Sequence, residues 1–109
     1  MRHSHREPDP KLLNDPGYRL TQYRMNVSTV LIDALRLRFR SAPFEQPEPT
    51  SVQWKNIYKT TDLLASVSKG TTELILACKD VSLQRIIKVF TALKVNLNVT
   101  MCPFEQLHR

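Results

Sequence analysis

The sequence predicts a small α/β domain of αβα type, in which two N-terminal helices precede a strand–helix–strand unit. Three observations carry that expectation. Leu74-Ile-Leu-Ala-Cys78 is a short continuous apolar run bounded by Gly70-Thr-Thr72 and Lys79-Asp80, the pattern of a strand buried on both faces. Leu83, Ile86, Ile87, Phe90 and Leu93 then recur at helical spacing. Leu97, Val99 and Met101 alternate with Asn98, Thr100 and Cys102, which is strand spacing. Strand, helix and strand joined by short links make a right-handed parallel unit. A run as short as Leu74–Cys78 also fits a helix, so an all-helical bundle with Glu73–Asp80 helical is the alternative.

In chain order, residues 1–16 carry His3, His5, Pro8, Pro10 and Pro16 among mixed charges. Nothing there is periodic, so a flexible or partner-bound tail is expected, with a single α/β domain over 17–109. From Tyr18 to Arg40 the pattern is helical. Leu20, Tyr23, Val27, Val30, Leu31, Ala34 and Leu35 form an apolar stripe. The element closes with Arg36, Arg38 and Arg40, which complement the negative end of the helix dipole. Three arginines in alternation exceed what a cap requires, and guanidinium forks also bind phosphate oxygens.

Pro43–Pro49 holds three prolines, and each pushes the residue before it out of helical geometry, so this is a stiff internal linker. Thr50 or Ser51 then caps a second helix. Trp54, Ile57, Tyr58, Thr61, Ala65 and Ser68 mark one face, joined by Leu64, with Lys55, Lys59 and Asp62 mainly on the other. Trp54 and Tyr58 could stack bases, although aromatics at this spacing more often belong to a core. Lys69-Gly70 is expected to close the helix. Asp80 or Ser82 supplies the oxygen that caps the helix running from Val81 to Asn96.

Composition narrows the functional classes. The 109 residues suit one domain, and the net charge of +6 favours a polyanionic partner or the acidic face of another protein. No run of about 18 apolar residues exists to span a membrane, and the N-terminus has no secretory h-region. An intracellular, nuclear or nucleolar protein is expected. Cys78 and Cys102 lack zinc-site spacing, and reduced core thiols are the simpler reading. The three histidines, His3, His5 and His108, sit near the chain ends, and no glycine-rich phosphate loop follows a strand. Neither an enzyme nor a cofactor, metal or small-molecule substrate is expected.

The stretch from Lys59 to Leu107 resembles the kink-turn RNA-binding superfamily. It shows Leu63-Leu-Ala-Ser-Val-Ser-Lys-Gly70, then Glu73-Leu-Ile-Leu-Ala-Cys-Lys-Asp80, Ile86–Leu93 and Asn98–Pro103. The Ala-Cys-Lys-Asp ending and the tryptophan-bearing helix ahead of it look most like the ribonuclease P/MRP protein branch. That resemblance implies an RNA-binding start to the helix, at Lys59, Thr61 and Asp62. Lys59, Thr61, Asp62 and Ala65 stand where the family has glycine, asparagine, glutamate and lysine, so base-specific reading of a standard kink-turn is lost in favour of phosphate contact.

The function these observations imply is a non-catalytic RNA-binding or assembly subunit of a ribonucleoprotein. Its partners would be structured RNA and other protein subunits, contacted through Arg36, Arg38, Arg40, Lys55, Lys59, Thr61, Asp62 and Lys69. The competing reading is a basic interaction subunit of a multi-protein complex with no nucleic-acid role.

Overall fold

The computed structural model describes residues 14–39 and 48–96, and these residues form four helices. They are α1 (Pro16–Phe39), α2 (Ser51–Ala65), α3 (Thr71–Leu76) and α4 (Leu83–Ala92). Three of the starts have a local cause. The Asp15 carboxylate accepts from the Tyr18 N–H at 2.8 Å and opens α1. Thr50 and Gln53 cap α2 reciprocally: the Thr50 hydroxyl accepts from the Gln53 N–H at 3.2 Å, and the Gln53 amide oxygen accepts from the Thr50 N–H at 2.8 Å. Ser82 opens α4 by accepting from the Arg85 N–H at 3.3 Å.

The expected α/β class is corrected to all-α, the alternative arrangement. The Leu74–Cys78 run is not a strand: Thr71–Leu76 is helical, and no strand occurs among the described residues. The cause is a cap from outside the segment. Asp62, on the last turn of α2, accepts from the Gly70 N–H at 2.8 Å and the Thr72 N–H at 2.9 Å. Those donors start a helix when they turn towards one acceptor. Glu73 adds an anion to the first turn, where the dipole favours it. Of the three apolar residues that follow, only Ile75 is buried, while Leu74 is exposed and Leu76 intermediate. The helix therefore needs one inward position where a strand buried on both faces needs all three. The strand the family resemblance implies at Glu73–Asp80 has no counterpart, because Thr71–Leu76 is helical; the second expected strand, Leu97–Cys102, lies outside the described residues.

Three helices stop in the same way, and none uses glycine. Ser66, Cys78 and Lys94 take left-handed φ values of 57°, 61° and 64°. At each, the next residue's N–H reaches back five residues: Val67 to Asp62 O, Lys79 to Leu74 O and Val95 to Phe90 O, at 2.9–3.1 Å. This is the Schellman closure, which satisfies carbonyls the helix leaves free. The expected α2 end at Lys69-Gly70 is therefore corrected. The helix ends at Ala65, and Gly70, with φ 90°, opens α3 instead.

Packing follows from the apolar stripes. Helix α1 lies on α3, α2 on both α4 and α3, and α3 also touches α4. Val27, Leu31, Ala34 and Leu35 of α1 meet Ile75, Val81, Ile86, Val89, Phe90 and Leu93. Leu31, Leu35, Val89 and Phe90 are fully enclosed, each contributing about 1.5–3 kcal/mol by leaving water. The Ser28 hydroxyl donates to Leu76 O at 2.8 Å, giving the last carbonyl of α3 a partner on α1. Arg24 pairs with Asp80 at 3.3 Å beside that contact. The stripes are narrower than the sequence implies: Leu20, Tyr23, Val30, Leu64, Leu83 and Ile87 are exposed.

Candidate nucleic-acid interface

The turn joining α2 to α3 brings three of the predicted cations together. Lys55 and Lys59 sit one helical turn apart on α2, and Lys69 stands on the turn beside Gly70. All three line one surface depression with Asn56, Asp62 and Glu73. Their side chains are exposed, and none of the three forms an ion pair among the described residues. A neighbouring depression shares Lys59, Asp62 and Lys69 and continues between Leu63 and Val67. The Schellman turn at Ser66 creates this geometry, because it folds Val67–Lys69 back alongside the last turn of α2.

Asp62 lies at the floor of the site without forming an ion pair to its lysines among the described residues. It is 4% exposed. Oδ2 accepts from Gly70, while Oδ1 accepts both the N–H and the hydroxyl of Thr72, the latter at 2.6 Å. Donors of the α3 start occupy both carboxylate oxygens, and the carboxylate forms no ion pair with the surface lysines among the described residues. Thr61 is fully buried, and its hydroxyl donates to Ile57 O at 2.8 Å. Both residues of the family-like helix start are structural here.

The arginines form a separate group. Arg36 makes two hydrogen bonds to Glu48 Oε2, at 2.9 and 3.3 Å, and reaches Asp33 at 4.0 Å. Its guanidinium also sits 5.9 Å from the centre of the Trp54 ring. Trp54 stacks on Tyr58 with centroids 5.8 Å apart, and both rings pack half-buried against the core. Burial raises the Tyr58 phenol above its ordinary value, as does Glu73, while Arg36 pulls the other way. Arg38 is exposed near the end of α1. Arg40 lies outside the described residues.

Leu63, Val67, Asn56 and Glu73 complete the lining, and the sequence reading assigned none of them to the site. A signal existed for one: Leu63 lies four residues after Lys59 and so on the same ridge of α2. No protein-family model, characterised protein or solved structure matches the chain. Function must therefore be read from the site.

Proposed function

We propose that the protein is a non-catalytic RNA-binding subunit of a nucleoprotein assembly, holding phosphates with Lys55, Lys59 and Lys69. The observation that carries this reading is the convergence on one depression of three lysines that form no ion pair among the described residues, in a chain of net charge +6. An ammonium group is a compact point charge, suited to phosphate oxygens and indifferent to base identity. Arg38 extends the positive surface, whereas Arg36 is held by Glu48 and Trp54 and contributes little. The ribonucleoprotein part of the reading rests on charge and this cluster, not on the sheet of the kink-turn family. A nuclear or nucleolar site of action would accompany such a role.

The test is the salt dependence of binding to structured RNA. Each lost phosphate contact should flatten the log–log slope by about 0.7–0.9. Lys55→Gln with Lys59→Gln should therefore flatten it by nearly two such steps, and Arg36→Gln by almost nothing. RNA bound no better than heparin, with a slope indifferent to these lysines, would overturn the assignment. Retention of an acidic protein at moderate salt would then favour the protein-interaction reading.

A further inference from the structure

We infer that the lysine-lined site takes a splayed-out nucleotide of single-stranded RNA, with the base against Leu63 and Val67 and its phosphates on Lys59 and Lys69. The inference rests on the phosphate-binding reading above and adds the form of RNA bound. Its basis is that two unlike depressions meet along Lys59 and Lys69. One runs between Leu63 and Val67, and the other carries Asn56 and Glu73. Leu63 is 75% exposed, an apolar surface between two cations that nothing in the described fold covers. The occupant needs an apolar body within one residue's length of an anion.

A nucleotide unit supplies both, since its flat base adjoins its own phosphodiester. It also supplies donors, from the ribose 2′-hydroxyl and the exocyclic amines, which the exposed Glu73 carboxylate accepts. An acidic amphipathic peptide matches the apolar and cationic parts. Its carboxylates and apolar groups sit on separate residues, however, whereas the two halves of this site meet directly along Lys59 and Lys69. A duplex presents phosphates but keeps its bases stacked inside, so it uses the lysines and leaves Leu63 uncovered. Single strands engage both halves of the site.

The experiment compares an oligoadenylate, the duplex it forms with oligouridylate, and an abasic ribose-phosphate oligomer of equal length on the full chain. The single strand should bind at least about fivefold tighter than the abasic oligomer, the lower end of what one base contact supplies. Leu63→Asn, at a position too exposed to threaten folding, should abolish that difference and leave duplex and abasic binding unchanged. Val67→Thr should reduce it partially. Equal binding of oligoadenylate and abasic oligomer, with the lysine-dependent salt slope intact, overturns the base site and leaves phosphate binding standing. Loss of that slope removes both readings. A Leu63-dependent affinity for an acidic amphipathic peptide, without the base-dependent preference, overturns the inference in favour of a protein partner.

Discussion

Asp62 and Thr72 share two hydrogen bonds to a single carboxylate oxygen, one from the backbone N–H at 2.9 Å and one from the hydroxyl at 2.6 Å. Both residues are buried. The pair fastens the end of α2 to the beginning of α3, and through α3 to α1.

Asp62→Ala would strand the Gly70 and Thr72 N–H groups and the Thr72 hydroxyl. The expected loss is about 2–4 kcal/mol, combining a missing cap with buried unsatisfied donors. Asp62→Asn can still accept from Thr72 but turns an NH2 group towards the Gly70 N–H, so about half that loss is expected. Chemical denaturation measures both. If Asp62→Asn melts like the parent chain and instead loses RNA affinity, Asp62 belongs to the interface.

The last helix separates two apolar positions that look alike in sequence. Phe90 is 0% exposed and Ile87 44% exposed. Phe90→Ala should cost about 3–5 kcal/mol, enough to unfold much of a marginally stable domain. Ile87→Asp should change stability by no more than about 1 kcal/mol, because its charge stays in water. The sequence pattern alone places Ile87 on the buried stripe and forecasts collapse for that variant. Thermal melts of the two proteins decide the point.

The left-handed closures forecast a gain. Lys94 is exposed with φ 64°, a conformation that costs a side-chain-bearing residue about 1–2 kcal/mol relative to one without Cβ. Lys94→Gly should therefore raise stability by about 0.5–1 kcal/mol after the entropy of the unfolded glycine is set against it. Lys94→Ala, which keeps the Cβ, should change little. A destabilised Lys94→Gly would mean that the lysine side chain holds the turn.

Tyr58 sets an alkaline limit. Its folded phenol holds the proton more tightly than the ordinary value of 10.0 allows, through burial first and Glu73 second. A folded value above the unfolded one gives stability that is complete below the unfolded value. That stability is lost as pH rises through the folded value. The denaturation midpoint should therefore fall above about pH 10 more steeply for the parent chain than for Tyr58→Phe. Parallel pH profiles for the two proteins would show that Tyr58 ionises as freely folded as unfolded.

Much of the helical frame was legible because its signals are local. Thr50 with Gln53 marks the start of α2, and Ser82 marks the start of α4. Each cap reaches only three residues along the chain, so residue type and spacing are enough to find it. The basic character and three of the lysines of the candidate site could likewise be read directly. The helix ends could not, since Ser66, Cys78 and Lys94 occupy the left-handed positions where a reader looks for glycine. The same blindness hid the site's shape, because the turn at Ser66 is what folds Lys69 back towards Lys59.

By itself, then, the sequence determined where α2 and α4 begin, to Thr50 or Ser51 and to Asp80 or Ser82, which residues are cationic and that Val81–Asn96 carries a helix. Only the tertiary structure decided the state of Leu74–Cys78, the face that α4 buries and the structural duty of Asp62. A short apolar run satisfies strand and helix equally well until its first N–H groups find an acceptor. Here that acceptor is a carboxylate eight and ten residues upstream of the donors it holds. No local propensity encodes a contact of that range, and it exists only once α2 has ended at Ser66 and the chain has turned back.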